Sequence, residues 1–190
     1  MNKSARILVL AGSLREGAYS KKLAKCAAEA LKQLGAEVDL LDLREVPMPL
    51  YDGDLEDAEG LPAGAIAFKE RIAAAEGLLI VSPEYNQSIP GTFKNALDWA
   101  SRGEDDVFEG KVAGLMASSP GGAGGMRMMP HLRQVMTALG VWLLPEQVTL
   151  SKAHEAFDES GALKSAYIAT QVEKLCSALA SEARRRRLEA

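Results

Sequence analysis

Short, wholly apolar runs recur along the chain, separated by longer stretches of mixed character. The first run, Ile7 to Ala11, ends directly at Gly12. A continuous apolar run of this length is typical of a strand that is buried on both faces, as in a parallel sheet. The recurring runs predict five strands, over residues 7–11, 38–43, 78–81, 112–117 and 141–144.

Between the predicted strands, apolar residues recur at helical spacing. In the first of these stretches Leu23, Ala27 and Leu34 share one face, and Gly35 predicts the end of the helix. The same spacing recurs over residues 65–75, 93–100, 128–139 and 168–179. Because a parallel connection needs a crossover helix, the alternation predicts a doubly wound α/β sheet with helices on both faces.

The second apolar run differs from the others because Asp39 and Asp42 lie inside it. Charged residues within a strand favour an edge position, which strand two occupies in the flavodoxin order 2-1-3-4-5. Residues 44–62, rich in Asp, Glu, Pro and Gly, are predicted to form one long surface loop. Since neither a linker nor an internal repeat is found, residues 1–190 are predicted to form a single flavodoxin-like domain.

Composition and charge narrow the class of protein. The chain has 22 Lys and Arg against 26 Asp and Glu, a formal net charge of −4, and 47% of its residues are hydrophobic. These values are typical of a globular protein and provide no general attraction for nucleic acid. The basic run Arg184 to Arg187 is interpreted as a solvated last helical turn that offsets the helix dipole.

Targeting segments and cysteine motifs are not found in the sequence. No apolar run approaches the roughly 20 residues that cross a bilayer, and the first residues do not form a signal peptide. Cys26 and Cys176 are far apart and belong to neither a redox motif nor a zinc motif. The sequence therefore predicts a reduced, cytoplasmic protein without membrane or nucleic-acid contact.

The loops after strands one, three and four are candidate binding segments, because ligands of open α/β sheets bind beyond the carboxyl ends of the strands. The first loop, residues 12–20, leads into a helix N-terminus, where free N–H groups and the helix dipole favour a phosphate. Ser13, Arg15 and Ser20 add polar donors there. The P-loop and G-x-G-x-x-G patterns are missing, which favours a phosphate monoester. The alternative is that Ser20 caps the helix and Arg15 is a solvated charge.

The second candidate loop, residues 82–91, contains two prolines and a glycine, which predict fixed turns. Exposed amides and Tyr85 suit a planar heteroaromatic ring. Glu84 and Asn86 equally suit stabilisation of the loop itself, and the alternative for Tyr85 is packing against a subunit or a neighbouring loop. The third loop, residues 118–125, has four glycines in five positions. They allow close approach to a ligand, or make a flexible connector.

Two motifs carry a resemblance to a known family. They are G-S-L-R-x-G-x-x-S at residues 12–20 and S-P-E-Y-N-x-S-x-P-G-x-x-K-N-A-x-D-W at residues 82–99. Together they resemble the NADPH-dependent FMN reductase family, and especially its chromate, quinone and azo-dye reductase members. The likeness runs from about Arg6 to about Leu179. It implies a flavodoxin-like fold that binds FMN non-covalently.

The resemblance also implies which residues bind FMN. They are Ser13, Arg15 and Ser20 for the phosphate, Pro83, Glu84, Tyr85 and Asn86 for the isoalloxazine ring, and Ser119 and Gly122 for the other side of the ring. The family usually has Ser and Asn where this chain has Ala18 and Ser20, so one hydroxyl donor is lost and an amide is shortened. Since a neutral hydrogen bond contributes about 0.5 to 1.5 kcal/mol, we expect an FMN affinity reduced about tenfold.

The activity implied by the resemblance is an FMN-dependent NAD(P)H oxidoreductase with a ping-pong scheme. NAD(P)H reduces FMN, and quinones, or promiscuously chromate, ferric chelates and azo compounds, are then reduced in the same cleft. The chemistry belongs to FMN, so no catalytic side chain and no metal ligand is predicted, and His131 is interpreted as a helix-surface or core residue. Two alternatives stay open, a flavin reductase that supplies FMNH2 to a partner monooxygenase and a flavodoxin-type electron carrier.

Methionines cluster on the fourth predicted helix, at positions 126, 128, 129 and 136. Three of them within four positions cannot all face inward, so some are expected to be exposed or in an interface. Together with the resemblance, this predicts a homodimer or homotetramer. The sequence does not discriminate NADH from NADPH, nor does it identify the natural acceptor.

Overall fold

The computed structural model describes the backbone of residues 4–189 and the side chains of residues 4–186, so the Arg187 side chain lies outside the described residues. Five parallel strands form one sheet in the order β2-β1-β3-β4-β5. Their bounds are β1 (Arg6–Ala11), β2 (Glu37–Asp42), β3 (Gly77–Pro83), β4 (Val112–Ser118) and β5 (Trp142–Leu150). The predicted fold, with its strand order and β2 at the edge, is confirmed.

Helices cover both faces of the sheet. Their bounds are α1 (Tyr19–Gln33), α2 (Gly53–Glu59), α3 (Ala63–Ala74), α4 (Gly91–Ala100), α5 (Met128–Ala138) and α6 (Ala166–Glu189). Helices α1 and α6 pack on one face, and α3, α4 and α5 pack on the other. Within the described residues, no helix combines the length and the apolar character that a membrane span requires.

The central strands are apolar throughout because they contribute to two cores at once. Ile7 and Val9 of β1 pack with α1 and α6, whereas Leu8 and Leu10 pack with α3, α4 and α5. This follows from the alternation of side chains along a strand. The edge strand β2 is less buried, and its Asp39 accepts a hydrogen bond of 3.0 Å from Arg71 Nε of α3.

The prediction that residues 44–62 form one loop was wrong. Leu43–Glu45 form a 3-10 turn, and α2 occupies the middle of the segment. The Asp52 side chain caps α2 by accepting a 3.0 Å hydrogen bond from the Asp54 N–H. None of the α2 residues is buried, so the helix has no apolar face from which a hydrophobic pattern could predict it.

The fifth strand is longer than predicted. It continues past residue 144 to Leu150, and its register against β4 shifts between Ala113 and Leu115. Pro145, Glu146 and Gln147 interrupt the apolar run at that irregularity. The extension matters for the site because it carries the end of β5 alongside the end of β4.

Candidate cofactor site

Three segments lie side by side at the carboxyl edge of the sheet, because β1, β3 and β4 are neighbours in it. We name them the β1 loop (residues 12–18), the β3 hairpin (residues 84–88) and the β4 loop (residues 119–127). The Gly12 N–H donates a 3.0 Å hydrogen bond to the Val81 carbonyl oxygen, which ties the start of the β1 loop to β3. The topology therefore brings the predicted binding segments together.

The β1 loop ends at a helix N-terminus that has no side-chain cap. Ala18 occupies the N-cap position with extended backbone, φ −65° and ψ 136°, and its side chain makes no capping hydrogen bond to the first turn of α1. The first N–H groups of a helix have no acceptor within the helix. Together with the positive end of the helix dipole, they favour an anion.

Ser20, in the first turn of α1, is fully buried, and its Oγ has no hydrogen-bond partner. The alternative that Ser20 caps the helix was therefore wrong. A buried polar group without a partner costs about 1 to 3 kcal/mol. Such a cost at a helix N-terminus is explained if a ligand supplies the missing acceptor.

Ser118 is the second buried hydroxyl without a partner among the described side chains. It ends β4 and lies two residues after Met116, which packs on the α1 side of the sheet. Because the side chains of a strand alternate, Ser118 faces the same side as Met116. The sequence analysis nominated Ser119 and missed Ser118, although a hydroxyl group at the end of an otherwise apolar strand is a signal in the sequence.

The start of the β1 loop is packed against the protein itself. A Cβ atom at Gly12 would lie 3.0 Å from Phe93 Cδ1 and 3.1 Å from Ser82 Oγ. Glycine therefore allows the loop to leave the sheet directly above Phe93. Further along the loop the Arg15 side chain is exposed, while its N–H donates a 3.2 Å hydrogen bond to Ser13 Oγ.

The segment after β3 is a tight hairpin. The backbones of Tyr85 and Ser88 exchange two hydrogen bonds of 3.0 Å. Between them, Asn86 and Gln87 have positive φ angles of 51° and 66°, as in a two-residue type I′ turn. Left-handed backbone is uncommon for residues other than glycine and occurs often at functional sites. The prolines predicted fixed turns in this segment, and the structure has a turn there that is held by the two backbone hydrogen bonds of the hairpin.

The β3 hairpin is anchored to the start of α5. Glu84 Oε2 accepts hydrogen bonds from the backbone N–H groups of Arg127, at 3.0 Å, and Met128, at 3.1 Å. A carboxylate at a helix N-terminus is stabilised by the helix dipole. Glu84 Oε2 is therefore used within the protein, which leaves Oε1 and the backbone of Glu84 for a ligand.

His131, in the first turn of α5, also contacts the β3 hairpin. Its Nδ1 lies 2.9 Å from Ser88 Oγ, and its side chain is exposed. The interpretation of His131 as a helix-surface residue agrees with this position. The sequence analysis nevertheless did not place it beside a candidate loop, because Ser88 and His131 are 43 positions apart.

The β1 loop and the β3 hairpin are joined by a side-chain contact. Ser13 Oγ lies 3.2 Å from the Tyr85 hydroxyl oxygen. Ser13 is 1% exposed, whereas Tyr85 is 47% exposed. Tyr85 thus contacts a neighbouring loop, which was one of the alternatives for this side chain, and still leaves much of its surface exposed to solvent.

The glycines of the β4 loop have different functions. A Cβ atom at Gly125, with φ 91°, would lie 2.5 Å from Ala117 Cβ, and one at Gly124, with φ 62°, would lie 2.8 Å from the Ser151 nitrogen. These two glycines allow close packing against the sheet, which argues against a flexible connector. No atom lies within 4 Å of the corresponding position at Gly122, so that backbone is open to a ligand.

The last part of the long motif, on α4, forms hydrogen bonds with residues 49–51. Asn95 accepts a 2.8 Å hydrogen bond from the Tyr51 N–H and donates one of 2.8 Å to the Pro49 carbonyl oxygen. Trp99 Nε1 donates to the same carbonyl oxygen at 2.9 Å. Residues 49–51 are thereby fixed on α4, where Leu50 borders a cavity of about 360 Å³ that also touches the β1 loop.

The fold and the site define the class of protein. It is a flavodoxin-like α/β protein with an uncapped helix N-terminus, which favours an anion, and a hydrogen-bonded hairpin at the same edge of the sheet. The chain belongs to the NADPH-dependent FMN reductase family, whose model matches residues 5–155. This confirms the predicted family and, with it, the prediction of an enzyme.

Known proteins similar to the chain include reductases from bacteria. The chain is 39% identical over 164 residues to an NAD(P)H-dependent FMN reductase of Pseudomonas aeruginosa, covering 86% of each protein. It is 38% identical over 147 residues to a quinone reductase of Escherichia coli, covering 76% of each. The solved structure of FerB, a flavoenzyme NAD(P)H:(acceptor) oxidoreductase from Paracoccus denitrificans, matches with a TM-score of 0.80 and 27% identity, covering 96% of this chain and 98% of that one.

Proposed function

We propose that this chain binds FMN non-covalently at the carboxyl edge of the sheet and uses NAD(P)H to reduce quinones. The observation that carries the proposal is the pair of buried hydroxyls without partners among the described side chains, Ser20 in the uncapped first turn of α1 and Ser118 at the carboxyl end of β4. The names of the similar reductases support both the cofactor and the acceptor class.

The residues at the start of α1 suit the phosphate group of FMN. A phosphate brings several acceptor oxygens, and the first turn of α1 offers N–H groups together with the Ser20 hydroxyl. Ser13 and Arg15 would complete this part of the site, with Arg15 free to approach from solvent because its side chain is exposed. These donors suit a phosphate dianion that is bound through local hydrogen bonds, because the net charge of the protein, −4, would not attract it.

The β3 hairpin and the β4 loop suit the isoalloxazine ring. Tyr85 offers half-exposed aromatic surface, and Pro83, Asn86, Ser119 and Gly122 would provide backbone and side-chain contacts around the ring. When bound, FMN supplies the ring that accepts a hydride from NAD(P)H and transfers electrons to the acceptor. The chain's own residues bind, orient and partly shield this group, and no side chain is proposed as acid, base or nucleophile.

The experiment that tests the proposal is a turnover assay with purified protein, FMN, NADPH and a benzoquinone. We expect rapid loss of NADPH absorbance that depends on the quinone, and visible flavin absorption in the protein that has bound FMN. Chromate, ferric chelates and azo compounds are proposed as further acceptors in the same assay. Turnover with none of these acceptors, in protein shown to be folded, would reject the proposal.

A second candidate function is the supply of FMNH2 to a partner monooxygenase. The observation in its favour is Ala18, which leaves the N-terminus of α1 without a side-chain cap and removes one hydroxyl from the phosphate site. A reductase of this kind would lose FMN on dialysis and would show a rate that rises with added FMN. The proposed quinone reductase would instead keep its FMN and respond to the quinone concentration.

We propose further that the protein is a cytoplasmic homodimer or homotetramer. Met126 is 59% exposed and Leu50 is 81% exposed, so large apolar side chains are available for an interface. Both cysteines are free thiols, as in a reducing compartment. Light scattering should give a mass at least twice the 20.3 kDa of one chain; a mass of one chain would contradict the oligomer.

A further inference from the structure

We propose that the Tyr85 hydroxyl orients the Ser13 hydroxyl toward the phosphate of FMN, which makes Tyr85 a positioning residue for the phosphate. The inference rests on the proposed function, since it assumes that FMN binds with its phosphate at the β1 loop. It assigns a second role to the β3 hairpin, which is proposed to bind the ring: the hairpin also helps to bind the phosphate at the other end of FMN.

The proposal starts from the contact between two segments that are distant in the sequence. Ser13 Oγ and the Tyr85 hydroxyl oxygen are 3.2 Å apart, and the residues are separated by 72 positions. The Ser13 side chain is almost fully buried at the foot of the β1 loop. Its hydroxyl therefore has few possible partners, and each one restricts the direction of its proton.

The hydrogen-bonding capacity of a serine hydroxyl decides what remains for a ligand. A hydroxyl donates one hydrogen bond and accepts two. The Arg15 N–H already donates to Ser13 Oγ at 3.2 Å. When the Tyr85 hydroxyl donates as well, both acceptor sites are filled and the Ser13 proton is left for a third partner.

The opposite arrangement, in which Ser13 donates to Tyr85, leaves no Ser13 proton for a ligand. A phosphate is a charged acceptor, and hydrogen bonds to it are about twice as strong as those between neutral groups. Bound FMN therefore selects the arrangement in which Tyr85 donates. The phenol group then contributes to phosphate binding without touching the phosphate.

The test compares FMN with riboflavin, which has the same ring and no phosphate. We expect Tyr85→Phe to weaken FMN binding about fivefold, as one hydrogen bond of roughly 1 kcal/mol predicts, and to leave riboflavin binding unchanged. Binding is measured by titrating flavin fluorescence. Tyr167→Phe is the matched control, because Tyr167 is 71% exposed on α6 and should change neither affinity.

A double-mutant cycle with Ser13→Ala uses FMN alone and decides the question even where riboflavin binds too weakly to titrate. If Tyr85 acts through Ser13, the Tyr85→Phe change should have no further effect in the Ser13→Ala background. Melting temperatures of the FMN-free variants show whether they are folded.

Three outcomes would overturn the inference, and a fourth would reject the proposed function. Equal weakening of FMN and riboflavin by Tyr85→Phe would show that the hydroxyl acts on the ring, and additive effects in the cycle would show that it acts independently of Ser13; either result overturns the inference. An unchanged FMN affinity in Tyr85→Phe overturns it as well. If the unaltered protein does not bind FMN, the proposed function fails instead.

Discussion

The start of α1 and the β3 hairpin lie next to each other at the same edge of the sheet, yet their polar groups are used in opposite ways. At the start of α1, the Ser20 hydroxyl and the N-terminus of the helix have no side-chain partners. In the hairpin, Glu84 and Ser88 are bonded to α5, and the turn closes on itself through two backbone hydrogen bonds.

This difference indicates how the two halves of the site work. The hairpin is closed and tied to α5 by hydrogen bonds within the protein, so a ring placed against it would order little additional chain, and such preorganisation favours binding. The start of α1 lacks acceptors that a phosphate would supply. The phosphate would therefore supply the missing acceptors at the start of α1, whereas the ring would bind against a hairpin that is already formed.

The largest effect is expected from removing the anchor of the hairpin. Glu84→Ala should lower the free energy of unfolding of the FMN-free protein by about 2 kcal/mol, because the Arg127 and Met128 N–H groups lose a charged acceptor. Urea unfolding followed by circular dichroism measures this. Glu84→Gln is the control and should lose less, since its amide oxygen can still accept. Equal stability of all three proteins would show that the anchor contributes nothing.

A substitution at Ser20 should lower FMN affinity without lowering the stability of the FMN-free protein. Ser20→Ala removes a buried hydroxyl that has no partner, so the FMN-free protein should be as stable as before or more stable. FMN affinity should fall about tenfold, as expected for a hydrogen bond to a charged group.

Ser101 provides the matched control for Ser20. Its hydroxyl donates a 2.8 Å hydrogen bond to the Asp98 carbonyl oxygen at the end of α4. Ser101→Ala should therefore leave FMN affinity unchanged and lower stability slightly. A loss of stability in Ser20→Ala, with unchanged FMN binding, would contradict a ligand-binding role for the Ser20 hydroxyl.

A capping side chain at the start of α1 should stabilise the protein and alter its affinity for FMN. Ala18 has the extended backbone of an N-cap residue but no capping side chain. Ala18→Ser should raise the free energy of unfolding by about 1 kcal/mol. If the new hydroxyl also reaches the phosphate, FMN should bind severalfold more tightly in a fluorescence titration. A decrease in FMN affinity would show that the cap competes with the ligand for the same N–H groups.

The smallest effect concerns an ion pair that ties α1 to the end of β2. Lys21 Nζ lies 2.6 Å from Asp42 Oδ2. Burial raises the pKa of Asp42, but the hydrogen bonds from Lys21 and from the Arg44 N–H together outweigh it, and the pKa lies below its ordinary value of 3.8. A carboxyl group of this kind stabilises the fold above its unfolded-state pKa, and the stabilisation is lost as the pH falls through the folded-state pKa.

Asp42→Asn tests this pH dependence. At neutral pH the variant should be less stable by about 0.5 kcal/mol, the size expected of a partly exposed ion pair. The difference should shrink as the pH falls below the ordinary pKa of the carboxyl group and disappear below its folded-state pKa. Thermal unfolding at a series of pH values measures it, and a difference that persists unchanged in acid would show that the Asp42 charge is not responsible.

Much of the fold could be predicted because its signals are local. The apolar runs predicted the strands, since a strand buried on both faces has no polar alternation. Asp39 and Asp42 predicted that β2 lies at the edge, and the motifs predicted the family. Helix α2 was missed for the converse reason, because a helix without buried residues has no apolar face.

The candidate site could be predicted only as a set of segments. The sequence identified the segments that follow β1, β3 and β4, and the nine residues nominated in and beside them stay predictions. It did not show that Ser118 is buried without a partner, or that Gly124 and Gly125 pack against the sheet. These properties depend on which atoms surround a residue.

By itself, the sequence determined the strand order, the described helices other than α2, and the family, because hydrophobic periodicity and short motifs depend on residues close together in the sequence. Only the tertiary structure decided that Glu84 caps α5, that Ser88 meets His131 and that Tyr85 meets Ser13. Each of these contacts joins residues more than 40 positions apart. Hydrogen bonds act over a few ångströms, so such partners are known only once the packing of the sheet has brought them together.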